Sequence, residues 1–571
     1  MAVPDMIFPN DPGLVRLLRS AKRCPGISIV ADAFGFDKTY NELLADVLRT
    51  RDSMREHLPP SALDERALLR GDAPYVCILA RAGYEFVVAT FAIRALGGAC
   101  IPIATGVVAE EAAYFVEISK SCCIMAGRDF LERADETVAL LKEQKNFSAV
   151  SLPVSSDAKP LEDMDQLDID EGLALDPAGP GLVIFTSGTT GKPKGVVLPR
   201  WGLDVLPDGP VGSESVCFRP PIWLGGFVGI IMPIAMGTKI HIAGERATAQ
   251  QIWDLLLNNS ISTMAFIPSM LRYLKEDLEA RTPQEQEKIV GRFKLFKYLD
   301  VSGALLSPTV MEYWRSKTNL PFGFLYGSTE MGVSALVKMH AGTQMTNCIG
   351  VPVHESTKVK LSEGDHGEMM LKTPQMFLHY MGDEQATKAA FDEEGWYKTG
   401  DYAELRDGEY YFCGRASADY AFPLGLCVPT AQVEMALTSL PYIASACVLG
   451  VPDHEAKEVC AAVVRLAPAT QPRQAGPDRV TLAIICEDLR PLIPEYMHPT
   501  VLRLIEADED MPQTITGKPI KRLVVKKFFG VDEYWDAASA GPGVEWNGKM
   551  SLHAQGEKKP WVWAGLTIPG A

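Results

Sequence analysis

The run VIFTSGTTGKPKGVV at residues 183–197 constrains this chain more than any other feature. An apolar stretch passes into hydroxyl residues, glycines and two lysines, then becomes apolar again. Glycines let backbone N–H groups come close to an anion, hydroxyls add donors, and Lys192 or Lys194 supplies positive charge. The segment reads as a polyphosphate-binding loop behind a buried strand. It is not the GxxxxGK[ST] loop of kinases and GTPases, because only two residues separate Gly188 from Gly191 and Pro193 stands where that motif needs Ser or Thr.

Around this loop the chain alternates strand and helix. Residues 75–103 read as strand, helix, strand, with Gly97 and Gly98 closing the helix. A second βαβ unit runs from a strand near 295–301, through a helix opened by Ser307-Pro308 and ending about Lys317, to a strand at 322–326. Its strands end in SGALL (302–306) and GSTE (327–330). Open α/β sheets bind ligands beyond the carboxyl ends of their strands, so both turns belong on one rim. Past Gly414 the elements shorten, and a fresh α/β pattern runs to about Phe529, which predicts a domain boundary near 414. The tail 531–571 is rich in glycine and proline, yet it holds four of the nine tryptophans (Trp535, Trp546, Trp561 and Trp563), enough aromatic surface to predict that it docks on the main body.

Composition removes other classes. With 571 residues, 47% hydrophobic, the chain can bury a sizeable core. A net charge of −17 gives no field for a nucleic acid or an anionic bilayer, so neither is expected as a partner. Twelve cysteines without a C-x-x-C pair fit neither a disulfide framework nor a zinc cluster, and reduced thiols are expected. The N-terminus lacks the basic start and apolar run of a secretory signal, and TIPGA is no peroxisomal address; a cytoplasmic protein is expected. The uncharged stretch 220–238 is interrupted by three prolines and four glycines and reads as buried core, not as a membrane span.

FTSGTTGKPKG, YGSTE (326–330), GWYKTGD (395–401), Gly414-Arg415 and PQTITGK (512–518) occur in the order and approximate spacing of the adenylate-forming superfamily. The chain resembles that family, which includes acyl-CoA synthetases, firefly luciferase and the adenylation domains of peptide synthetases. Weaker matches at TYNELL (39–44), 75–103 and GEMMLKTPQ (367–375) extend the similarity from about 39 to about 527. The resemblance implies an α/β fold with a large multi-subdomain N-terminal body (1–413), a hinge (414–418) and a smaller, mobile α+β C-terminal domain (419–530). It also implies that a carboxylic acid is joined to ATP, with Mg2+, and that the acyl group passes from the adenylate to a thiol, most simply CoA.

By the same resemblance, Thr186, Ser187, Gly188, Thr189, Thr190, Gly191 and Lys194 would hold the β- and γ-phosphates. Glu330 resembles the Mg2+ carboxylate, Thr329 would touch the α-phosphate, and Gly327 and Ser328 complete that nucleotide turn. Tyr326 would offer its ring to adenine, Gly303 and Ala304 a close backbone approach, and Asp401 with Arg415 a grip on the ribose. Lys518 matches the catalytic lysine that bridges the substrate carboxylate to the adenylate, which implies that the small domain rotates to deliver it.

Two departures from the family pattern stand out. After Arg415, Ser417 or Ala418 replaces the usual hinge acid and Phe422 stands where a lysine is expected, while Asp419, Gly425 and Glu434 keep a correspondence. This separates the expectation for adenylation from that for thiol transfer and keeps open an acceptor that is an amine or the thiol of a carrier protein. No L-G-x-[DH]-S site occurs, so such a carrier would be a separate protein. Trp223 takes the place of a histidine or other gate residue beside the acyl pocket, either shaping the cavity or filling core, and Gly225, Gly226 and Gly229 read as leaving room for a bulky aryl or longer aliphatic acid. A non-catalytic nucleotide-binding relative is the alternative of another class; the joint retention of Lys518, Glu330 and Asp401 opposes it.

Overall fold

The computed structural model describes residues 6–24, 26–186, 193–200, 208–244, 247–306, 308–332, 335–340, 347–415, 420–421, 423, 428–453, 457–467, 480–506, 508–513, 519–531 and 543–546. The chain forms two compact units, residues 1–306 with 310–412, and residues 307–309 with 413–571.

In the first unit, residues 75–103 form the strand Tyr75–Leu79, the helix Tyr84–Ala95 and the strand Ala99–Pro102, with the strands parallel and Tyr75 opposite Ala99. Every residue of the helix except Glu85 is buried, which is why its sequence is apolar all round. These strands lie in a seven-stranded sheet that ends in three antiparallel strands, Pro180–Thr186, Lys194–Pro199 and His379–Tyr380.

The second large sheet holds the other βαβ unit. Lys239–Ile242, Glu214–Cys217, Ile261–Phe266, Leu299–Ser302 and Phe322–Tyr326 are adjacent in that order and parallel. The helix Pro308–Thr318 connects the last two. The carboxyl ends at Cys217, Phe266, Ser302 and Tyr326 therefore share one rim. The stretch 220–238 is helical despite its prolines and glycines: it forms the helix Leu224–Met236, closed by Gly237 at φ 83°, with Phe227, Ile230, Ile231 and Ile234 in the main core. Among the described residues no helix is long and apolar enough to cross a membrane, and the described cysteines are free thiols.

A buried ionic cluster ties the loop hairpin to the first βαβ unit. Asp11 caps the helix Pro12–Arg23 by accepting from Gly13 N (2.9 Å) and Leu14 N (3.1 Å), and its carboxylate also accepts from Arg94 Nη2 at 2.7 and 2.9 Å. Arg200, the residue after the strand Lys194–Pro199, lies 3.6 Å from the other Asp11 oxygen and donates to Gly97 O (2.6 Å) and Gly98 O (3.2 Å). Two guanidinium groups thus share one carboxylate in the interior, and the end of the hairpin cannot shift without exposing them to each other.

In the second unit, Ile443–Asp453, Lys457–Leu466, Val501–Leu504 and Val544–Trp546 form a four-stranded sheet with an apolar cluster on each face. The helix Thr430–Ser439 packs on one face and the helix Lys521–Phe529 on the other. Val544–Trp546 comes from the tail: it pairs antiparallel with Val501–Leu504, Trp546 packs on the cluster, and Glu545 accepts from Leu482 N at 2.8 Å. This part of the tail docks on the second unit. Trp535, Trp561 and Trp563 lie outside the described residues.

Replacing Asp11→Ala removes a helix cap and leaves Arg94 and Arg200 without their shared counter-charge. Stability falls by about 3–5 kcal/mol, read from the midpoint of urea unfolding; a loss below about 1 kcal/mol contradicts a stabilising role for the cluster.

Candidate active site

The hairpin formed by Pro180–Thr186 and Lys194–Pro199 sets Thr186 opposite Lys194, and Thr186 Oγ1 donates to Lys194 O at 3.4 Å. The turn of this hairpin, residues 187–192, lies outside the described residues, and with it Ser187, Gly188, Thr189, Thr190 and Gly191. Lys194 is half-exposed; its Nζ lies 3.4 Å from Asp383 Oδ2 and 5.6 Å from the centre of the Tyr380 ring.

Tyr380 and Asp383 belong to a strap laid along the hairpin. Leu378 N donates to Val197 O and Met381 N to Gly195 O, both at 2.7 Å, while Phe377 N donates to Glu330 O at 2.8 Å. Tyr380 Oη donates to Glu330 Oε1 at 3.0 Å. Burial, then the Glu330 charge, holds this phenol well above its ordinary range, so it stays a donor. One phenol thus touches the carboxylate while its ring faces the lysine. Asp383 also caps the helix Glu384–Ala389 through Ala386 N at 2.8 Å; that bond, followed by Lys194, keeps its carboxyl below the ordinary range. His379 pairs with Val197, and burial lowers its pKa, so it is neutral at pH 7.

The rim carries the remaining groups. Tyr326 ends its strand, Gly327 and Ser328 turn, and Thr329 with Glu330 starts a short 3-10 helix, Thr329–Met331. Tyr326 Oη donates to Asp401 Oδ2 at 2.5 Å, and Phe412 lies 6.4 Å from the Tyr326 ring centre. Asp401 is buried on the strand Tyr397–Arg406. Its backbone N donates to Thr399 Oγ1 at 2.9 Å, after the left-handed turn at Gly400 (φ 70°). Gly303 follows the strand Leu299–Ser302 with φ 90°, and an added Cβ there would meet only Ile267 Cγ2 at 3.9 Å, so open space and not crowding lies before it and Ala304. Ser328 Oγ is buried with no hydrogen-bond partner among the described residues.

Arg415 ends the strand Glu409–Arg415, but its side chain lies outside the described residues, as do Lys518, Ser417, Ala418, Asp419, Phe422 and Gly425. Glu434 accepts from Val448 N at 2.8 Å in the second unit. Trp223 is half-buried at the N-terminus of the helix Leu224–Met236. The glycines after it do not leave room for a bulky acid. A Cβ on Gly226 would lie 1.8 Å from Pro220 O, and one on Gly225 would lie 2.6 Å from Arg219 Nη1. The space is filled by the chain just before the helix.

Sequence reasoning missed Tyr380, Asp383 and Arg219. The first two reach Lys194 through pairing with a distant segment, for which no local pattern exists; the arginine was visible, but its direction was not.

These groups fit a nucleoside triphosphate. Lys194 and Thr186 supply a cation and a hydroxyl at the hairpin, the orphaned Ser328 Oγ awaits a partner, and Glu330 presents one carboxylate. One carboxylate is what Mg2+ needs when phosphates and waters fill its other positions.

The sequence matches the model of the AMP-binding enzyme family over residues 19–381 and that of the AMP-binding enzyme C-terminal domain over 432–518. This chain is a member of the AMP-binding enzyme family, the adenylate-forming superfamily. It is 30% identical to Acyl-CoA ligase oryP of Aspergillus oryzae over 542 residues (92% of this chain, 93% of the relative). It is 26% identical to a malonate–CoA ligase of Arabidopsis thaliana over 540 residues (89% and 87%). Among solved structures, ATP-bound MatB from Rhodopseudomonas palustris shares the fold with a TM-score of 0.70 at 19% identity, covering 91% of this chain and 99% of that one. The MenE synthetase of Bacillus subtilis with its acyl-adenylate has a TM-score of 0.68 at 20% identity, covering 88% and 96%.

Asp383 competes with phosphate for Lys194, and Asp383→Asn keeps the helix cap while removing that charge. Because the ion pair is half-exposed, the gain is at most about 1 kcal/mol, so the Kd for ATP measured by calorimetry falls up to about 5-fold. Unchanged or weaker binding contradicts the competition.

Proposed function

We propose that this protein is an AMP-forming acid–thiol ligase that makes an acyl-CoA through an acyl-adenylate. The observation that supports the reading most is Tyr380, which bonds Glu330 while its ring faces Lys194, together with the Tyr326–Asp401 bond at the start of the same rim turn. A carboxylate oxygen must attack an α-phosphorus that already bears negative oxygens, and in a cleft of low dielectric that repulsion amounts to several kcal/mol unless cations and amides face it. As the new C–O–P link forms, the bond from the α-phosphorus to the β-bridging oxygen breaks and pyrophosphate leaves.

Lys194, Thr186 and the hairpin turn hold the departing phosphates. Glu330 would hold Mg2+, which when bound would supply further positive charge there. Tyr326 and Gly303 border the adenine, and Asp401 with Arg415 takes the ribose hydroxyls. Lys518 brings positive charge to the reacting oxygens. The CoA thiolate then attacks the acyl carbon, the bond to AMP breaks, and the thiol proton passes to solvent. Residues 1–413 serve as the large domain, 414–418 as a hinge and 419–530 as the small domain. The names of the two sequence relatives, both CoA ligases, support CoA as the acceptor.

A second reading, in which an amine or the thiol of a carrier protein takes the acyl group, is favoured by one observation, the altered sequence at 416–427. Product analysis with CoA present or replaced by an amine separates the two.

In Lys518→Ala, acid-dependent pyrophosphate release falls about 100-fold or more while ATP binding is kept, since one preorganised charge at the reacting atoms contributes that much. Release at the wild-type rate contradicts the assignment.

A further inference from the structure

The rim holds a cation that the adenylation chemistry does not use. Arg219 lies two residues beyond the strand Glu214–Cys217, and its side chain packs against the helix Leu224–Met236. Gly225 and Gly229, one helical turn apart, make the bed: a Cβ on the first would lie 2.6 Å from Nη1, and one on the second 3.5 Å from Nη2. From there Nη1 reaches Ser302 Oγ at 3.4 Å, a long and weak bond. The guanidinium therefore crosses the carboxyl end of the intervening strand Ile261–Phe266 and stops one residue short of Gly303.

No carboxylate pairs with it directly among the described residues. Two enclosed arginines of this unit do pair directly: Arg94 lies 2.7 Å from Asp11 and Arg51 lies 2.7 Å from Asp52. Arg219 is half-buried and has no ion pair within 4.0 Å among the described residues. The carboxyl of the acid that feels its charge, Asp300, makes no hydrogen bond among the described residues, and burial raises it to about 6 against the pull of Arg219. Five N–H donors in a fixed fork are left with two weak acceptors, Ser302 Oγ and the Cys217 sulfur, and with no paired carboxylate among the described residues, the state of a fork kept for a carboxylate that arrives with a ligand.

The position chooses which ligand. Tyr326, on the adenosine side, ends the strand beyond Leu299–Ser302 and donates to Asp401; Arg219 approaches from the opposite side, across Ile261–Phe266. An anion on Arg219 therefore belongs to the acid.

We propose that Arg219 determines specificity by binding a second carboxylate on the substrate, so that the acid activated here is a dicarboxylic acid. This rests on the acid–thiol ligase reading. One carboxylate is activated on the adenosine side while the other is held by the fork over Gly225 and Gly229. The glycines are required because any side chain at 225 would push the guanidinium off its bed.

The test uses the full-length protein, ATP, Mg2+ and two acid series matched in carbon number, from malonate to adipate and from propionate to hexanoate, with pyrophosphate release as the readout. The wild type turns over its best diacid with a kcat/KM at least about 100-fold above that of the matched monoacid. Arg219→Met lowers the diacid value by about 30-fold or more, with the KM for ATP unchanged and the monoacid value kept or raised; Arg219→Lys recovers part of the loss. If Arg219→Met fails to fold, Gly225→Ala, which keeps the arginine but displaces it, shows the same selective loss. Equal or better turnover of monoacids by the wild type, or an equal loss for both series in the variants, overturns the role of Arg219 and leaves the ligase reading intact. No acid-dependent release with any member of either series overturns the ligase reading, and this inference with it.

Discussion

The pairing of two antiparallel strands, with Thr186 opposite Lys194, is the constraint on which the rest of the site depends. Because side chains alternate along a strand, a shift of one residue would turn Lys194 to the other face and detach it from Tyr380 and Asp383. The shift is opposed at the far end of the hairpin, where Arg200 shares Asp11 with Arg94 and binds the carbonyls of Gly97 and Gly98. It is opposed at the near end by the strap, whose amides bond to Gly195 and Val197. A buried ion cluster far from the chemistry and a short strap beside it thus fix the position of one lysine.

That lysine and Glu330 illustrate how opposite charges are held apart yet close. Tyr380 donates to the carboxylate and offers its ring to the ammonium, so neither charge neutralises the other directly, and both stay able to meet phosphate or a cation. Lys194 instead has an exposed partner, Asp383, which costs little to displace.

Much of this was legible in the sequence because it is local. Gly97 and Gly98 mark the close of a helix, Ser307-Pro308 the start of another, and the turns after Leu299–Ser302 and Phe322–Tyr326 share a rim because parallel strands do. The loop composition at 183–197 shows its ligand type for the same reason. Illegible were contacts that depend on the fold: Tyr380 reaching Glu330, and Val544–Trp546 closing a sheet where its aromatic content indicated only that it docks. The glycines after Trp223 suggested an empty pocket, since a missing side chain reads as space. The structure fills that space with Arg219 and with the carbonyl of Pro220, and what looked like room for an apolar acid becomes a bed for a cation.

A crystal structure of the protein with a non-hydrolysable ATP analogue and Mg2+ tests the central claim most directly. The account predicts the β- and γ-phosphates hydrogen-bonded to Thr186 and Lys194, with Lys194 drawn away from Asp383, the metal on Glu330, and adenine against Tyr326. A triphosphate bound elsewhere, or lying with its adenine on the hairpin and its phosphates at Tyr326, contradicts it.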